Sequence, residues 1–116
     1  MTPDDRRHPT DQERERTTRP TVLAALGALN QRDPDTFVGL LHDDAVWLSA
    51  GGASSGPDAA ARARAFFAED RGRVWSDPQA HGSHAVLRFA EMESGREGAV
   101  VIDARGGRVV FVCDAP

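Results

Sequence analysis

His84, Arg88 and Asp103 are the residues whose types and spacing best suit acid–base chemistry in this chain. The spacing predicts a strand over 83–92, whose period of two places His84, Val86, Arg88 and Ala90 on one face and Ala85, Leu87 and Phe89 on the other. Turned toward a cavity, His84 could pass a proton near neutral pH and Arg88 could hold an enolate or carboxylate. Asp103, on the neighbouring strand, could then act as a base once desolvation raises its pKa. The opposite orientation is equally open. Leu87 and Phe89 are the more core-like pair, which would send His84 and Arg88 to the outer sheet surface or to a dimer interface. Asp103 also precedes Arg105-Gly106-Gly107, where aspartate serves turns by hydrogen bonding alone.

Other polar groups offer less. His81 and His84 are three apart, but no third ligand accompanies them, so no metal site is expected. His42-Asp43-Asp44 has the character of a helix end with solvated charges. The chain contains neither lysine nor tyrosine, which removes Schiff-base lysines, phosphate-loop lysines and tyrosine acids. Cys113 is the single cysteine, so neither an intramolecular disulfide nor a cysteine zinc site can form. In its apolar strand it reads as a buried, inert thiol. No motif calls for a cofactor. Trp47, Phe66, Phe67 and Trp75 are the large groups available to pack a core and to wall a hydrophobic ligand site.

These residues must be positioned by one domain, because 116 residues support a single modest core. Apolar residues make up 40% and charged residues 28%, the balance of a globular protein. With a formal charge of -4 and no face concentrating arginine, nucleic acid is not an expected partner. No apolar run reaches the roughly 20 residues a membrane span requires. The first residues lack the apolar segment of a signal peptide, so a cytoplasmic location is expected. Residues 1–19 read as a disordered polar tail, or at most a frayed helical extension over 11–19, and residues 20–116 as the folded domain.

Within that domain Val22, Leu23, Leu26 and Leu29 predict a first helix with one apolar stripe. Asp33 can cap a second, short helix that Pro34 begins and whose buried side is Phe37, Val38, Leu40 and Leu41. Residues 45–48 read as a strand and 50–56 as a flexible loop. Pro57 opens a third helix, with Ala59, Ala63, Phe66 and Phe67 on one side. A short strand at 73–76 precedes three longer ones at 83–92, 98–103 and 108–113. The turns 93–96 and 105–107 predict an antiparallel meander.

The order and spacing of four segments resemble the nuclear transport factor 2-like superfamily, in its SnoaL-like branch. They are Ala28-Leu29-Asn30-Gln31-Arg32-Asp33, Phe37 through Leu41 leading into Asp43-Asp44-Ala45-Val46-Trp47, Gly56-Pro57-Asp58-Ala59 through Phe66-Phe67, and Gly107-Arg108-Val109-Val110. The resemblance implies an α+β cone, a curved and mostly antiparallel sheet wrapped around three N-terminal helices and a largely apolar cavity. It also implies a homodimer formed through the open sheet face. Against the ketosteroid-isomerase relatives, Ala25, Ser49 and Ala99 stand where the tyrosine, the aspartate base and the protonated acid would be, so that machinery is missing. The SnoaL-type cyclases imply an inward carboxylate helped by histidine. The expected function is thus a cofactor-independent cyclase, isomerase or dehydratase acting on a hydrophobic, oxygenated molecule such as a polyketide or terpenoid. The alternative is a noncatalytic ligand-binding or dimerisation module.

Overall fold

A computed structural model describes residues 11–114, with side chains from Thr18 onward. Its elements run α1 (Asp11–Gln31), α2 (Pro34–Leu40), β1 (Leu41–Ser49), β2 (Gly52–Ser55), α3 (Pro57–Ala68), β3 (Arg73–Trp75), β4 (Gln79–His81), β5 (His84–Glu91), β6 (Glu97–Arg105) and β7 (Arg108–Cys113). The seven strands form one curved, unclosed sheet in the order β2-β1-β7-β6-β5-β3, with β4 sharing the β5 edge. β1 and β7 are parallel and every other described pairing is antiparallel. The α+β cone expected from the sequence is therefore the architecture observed.

Four local differences have physical causes. α1 starts at Asp11, so residues 11–19 take the helical form of the two expected; residues 1–10 of the predicted tail lie outside the described residues. Thr18 and Thr21 are buried together with Val22, Ala25, Ala28 and Leu29, a helical stripe whose first turn is polar and escapes an apolar search. Alanine rather than leucine forms that stripe, and Leu23 is 45% exposed. Small side chains let α1 lie close across β3, β4, β5 and β6. Secondly, His42, Asp43 and Asp44 do not end α2 but begin β1, with His42 Nδ1 accepting the Asp44 N–H at 3.0 Å. Thirdly, the expected loop at 50–56 holds β2, paired with β1 from Val46↔Ser55 to Ser49↔Gly52. Lastly, β7 adds the parallel β1 contact that a meander lacks.

The predicted cap is present: Asp33 accepts the Thr36 N–H at 3.2 Å at the start of α2. The Thr36 hydroxyl, donating to Asp33 Oδ2 at 2.5 Å, and that N–H hold the Asp33 carboxyl below its ordinary pKa. The 105–107 turn also forms, with Gly106 at φ 59 and Gly107 at φ 80, the two positive angles of a tight hairpin.

Period-two burial defines the sheet's two faces. Ala85 and Leu87 on β5, Val100 and Ile102 on β6, Val112 on β7 and Trp47 on β1 point into the core. Each fully buried aliphatic side chain stabilises the fold by about 1.5–3 kcal/mol. Aromatic rings connect the helices to this face in sequence: Phe67 to Phe37 at 5.5 Å, Phe37 to Trp47 at 6.0 Å, Trp47 to Phe66 at 5.5 Å, Phe66 to Trp75 at 6.4 Å and Trp75 to Phe89 at 4.8 Å. That chain fills the middle of the cone and leaves open space at one end.

Candidate functional site

The open space is a cleft of about 1080 Å³ between the C-terminal half of α3, the β1–β2 hairpin and the turn joining β5 to β6. Its position follows from local sequence. Ala50, Gly51, Gly52 and Ala53 carry no bulk, so the hairpin forms a low wall. Phe66 and Phe89 supply the apolar surface. Phe89 lies directly on Gly98, its partner across β5 and β6, where a Cβ would stand 2.5 Å from the ring.

Two arginines enter this cleft from different elements. Arg62, on α3, uses its whole guanidinium on protein oxygens. Nε donates to Ser49 Oγ at 2.9 Å, Nη1 to Glu69 Oε1 at 3.0 Å and Nη2 to Asp114 Oδ2 at 2.9 Å. Asp114, just beyond β7, also accepts the Trp47 indole N–H at 3.0 Å, and its side chain is nearly buried. The Asp114 N–H donates to Leu48 O at 3.0 Å, which extends the β1–β7 contact and fixes the carboxylate beneath the cleft.

Arg73 opens β3 and is oriented from its own turn. Asp70 Oδ1 accepts the N–H groups of Gly72 and Arg73, each at 2.8 Å, and Arg32 approaches Asp70 Oδ2 at 3.6 Å. Gly72 takes φ +82 in this turn, where a Cβ would also press on Met92 at 3.2 Å. The strand then alternates Arg73 inward, Val74 outward and Trp75 inward. The Arg73 side chain stacks over Phe66 at 3.9 Å and near Phe89 at 5.1 Å, while Nη1 donates to Phe66 O at 2.8 Å. Burial pushes its pKa down, and the fields of Asp70, Glu91, Glu69 and Asp114 oppose that shift.

The residues expected to carry chemistry lie elsewhere. His84 and Asp103 do come into register, as direct partners on β5 and β6, and His81 pairs with His84 from β4. They share the outer sheet face with Arg88, away from Leu87 and Ile102. His84 and Arg88 are exposed; Asp103 has one buried carboxylate oxygen with no hydrogen bond among the described residues, and Arg105 stands at 3.8 Å. None of the three borders the cleft. Of the expected ligand wall, Phe66 lines the cleft; Trp47 and Trp75 are buried beside it and Phe67 packs on Phe37. The lining is also more polar than the apolar cavity expected, since Arg62, Arg73, Glu69, Glu91 and Asp114 all border it. Among the described residues no group of three or more His, Cys, Asp or Glu side chains is placed to hold a metal ion.

Sequence reasoning passed over Arg62, Arg73 and Asp114. A signal existed for Arg73, because strand alternation sets it on the same side as Trp75. Arg62 sits one turn before Phe66 on α3, at the rim of the apolar face. Asp114 gave no signal, since only the β1–β7 pairing carries it to α3.

With this geometry in hand, the SnoaL-like domain family matches residues 22–113 of the chain. The chain belongs to the SnoaL-like family. Solved structures agree on the fold of this SnoaL-like domain. An NTF2-like protein of unknown function from Burkholderia xenovorans LB400 is 21% identical with a TM-score of 0.69, the alignment covering 86% of this chain and 82% of that one. Another from Mesorhizobium loti is 19% identical with a TM-score of 0.68, over 91% and 93% of the two chains. A de novo designed protein with a curved β-sheet aligns equally well, at 16% identity and a TM-score of 0.69 over 86% and 84%. No curated protein matches the chain. At these identities the likeness concerns the fold alone. Among the described residues no helix is long and apolar enough to cross a membrane.

Proposed function

We propose that this SnoaL-like domain binds a hydrophobic, oxygenated small molecule in the cleft beside α3, and that holding the ligand is its primary act. The observation carrying this reading is that the apolar rings of Phe66 and Phe89 share one concavity with positioned polar groups, among them Ser49, Arg62, Glu69, Arg73 and Asp114. That combination is how small-molecule sites obtain both affinity and orientation. Titration of the full chain with a panel of polyketide- and terpenoid-like compounds, followed through the ring signals of Phe66 and Phe89, tests it. Compounds that bind without disturbing those rings would count against the cleft.

A second reading keeps the chain as a cofactor-independent cyclase, isomerase or dehydratase with His84 and Asp103 as acid and base and Arg88 as the anion-holding group. Its support is the direct His84–Asp103 pairing across β5 and β6. Turnover would then take place on the outer sheet face. His84→Ala and Asp103→Asn each abolish turnover of a ligand on this reading; unchanged rates in both reject it. On the binding reading both variants retain ligand affinity.

The same outer face gives the basis for a homodimer. Val46 and Leu48 of β1 stand in register with Phe111 and Cys113 of β7, and those with Asp103 and Val101 of β6. Apart from Asp103, this partly exposed patch across three strands is apolar and has the character of a self-complementary interface. A cytoplasmic setting fits the composition.

A further inference from the structure

Arg73 has an unusual balance of burial and partners. The residue is 9% exposed, yet no carboxylate lies within ion-pair distance of its guanidinium among the described residues. Each nearby acid is engaged elsewhere: Glu69 and Asp114 with Arg62, Asp70 with Arg32 and the Gly72 turn, and Glu91 with Arg96 at 3.8 Å. Glu91 is the cross-strand partner of Arg73, and even so its carboxylate turns to Arg96. Among the described residues Nη1 is the one guanidinium nitrogen with a hydrogen-bond partner, Phe66 O, and Nε is buried with none.

A buried cation without an ion pair is costly, and a buried donor without an acceptor adds to the cost. Of the planar guanidinium fork Nε is closed off, so Nη2 is the unused donor left to give a charge-assisted hydrogen bond to a carboxylate oxygen. The rings of Phe66 and Phe89 keep this fork flat and in place, so little ordering remains for a ligand to impose. Arg62 cannot do the same, because Ser49, Glu69 and Asp114 occupy all three of its nitrogens.

We infer that Arg73 is a carboxylate-recognition site, and that the cleft takes a compact organic acid bound head-first on its Nη2. This rests on the cleft being the ligand site and adds the ligand's charge and its orientation. The apolar body of the acid lies toward the low Ala50–Ala53 wall, and Ser49 and Arg62 border the same space. A carboxylate makes this bond charge-assisted from both sides, which a neutral carbonyl cannot, so acids are preferred over their amides.

The test uses the full chain with 1-naphthoate and 1-naphthamide, a matched pair differing in charge, and reads affinity by NMR at the rings of Phe66 and Phe89. The expected result is naphthoate binding at least roughly ten-fold tighter, the scale of a charge-assisted hydrogen bond. Arg73→Gln should erase that preference, and Arg64→Gln, on the exposed side of α3 and paired with Asp35 of α2, should retain it. Should Arg73→Gln fail to fold through loss of the Phe66 O contact, the comparison in the unaltered chain decides. Equal affinity for acid and amide, or a preference that survives Arg73→Gln, overturns the carboxylate site while leaving the cleft as the ligand site. Absence of any shift at Phe66 and Phe89 with both compounds overturns the two together.

Discussion

Arg62 donates from Nε, Nη1 and Nη2 to three side chains, whereas Arg73 has a single acceptor and two ring faces. The two tryptophans divide in a similar way. Trp47 donates its indole N–H to Asp114, while the Trp75 indole N–H is buried without a partner among the described residues. Trp47→Phe removes a hydrogen bond to a charged group and should destabilise by about 1.5–3 kcal/mol. Trp75→Phe removes an unsatisfied donor, so its cost should be smaller by about 1 kcal/mol or more. Urea denaturation of both variants checks the ordering. Asp33 supplies a pH-dependent contribution of known sign. Its folded pKa is lowered by Thr36, so its stabilisation is present above the ordinary carboxylate range and is lost as pH falls through that lowered value. Asp33→Ala should therefore lower Tm near neutral pH, and the gap to the unaltered chain should close in acid.

Among the elements, the β5–β6 pair controls the cleft. Phe89 covers Gly98 and touches Trp75 and Arg73 on its other sides. Gly98→Val would push the ring off this seat, with an overpacking cost of about 1–3 kcal/mol measured by denaturation. It should also displace the ring from Arg73, visible as a shifted Phe89 signal. Period-two alternation made the faces of β5 and β6 readable in advance, with Ala85, Leu87 and Phe89 opposed to His84 and Arg88. Alternation names two faces and does not say which of them is covered. α1 decided that by lying on the Leu87 side, which left His84, Arg88 and Asp103 outside. Helical elements were legible where their buried stripe was apolar, as with Ala59, Ala63 and Phe66 on α3. The start of α1 was hidden because Thr18 and Thr21 lie on its buried side.

For the whole molecule, the outer sheet face carries the consequence. Leu48 is 37% exposed and stands in register with Cys113 and Val101, at the centre of the proposed interface. Leu48→Arg puts a charge on each copy at that centre and should convert a dimer to monomer in sedimentation equilibrium, with the monomer's fold intact by circular dichroism. A dimer unaffected by Leu48→Arg, or a monomeric unaltered chain, removes the interface. The cleft opens beside α3 rather than on this face, so ligand affinity at Phe66 and Phe89 should be the same in monomer and dimer.

Patterns within a few residues determined most of the architecture: the Asp33-Pro34 start, the Gly106-Gly107 hairpin, the aromatic run on α3 and the strand alternation are all local signals. The interior aromatic set was equally evident, because large apolar side chains have few other places to go. Tertiary structure alone decided which polar groups meet at the cleft. Asp114 reaches Arg62 only because β1 and β7 run parallel, and Arg73 comes under Phe66 and Phe89 only because β3 pairs with β5. Contacts between positions 52 residues apart, like Arg62 and Asp114, leave no periodic trace, so no reading of neighbours along the chain can anticipate them.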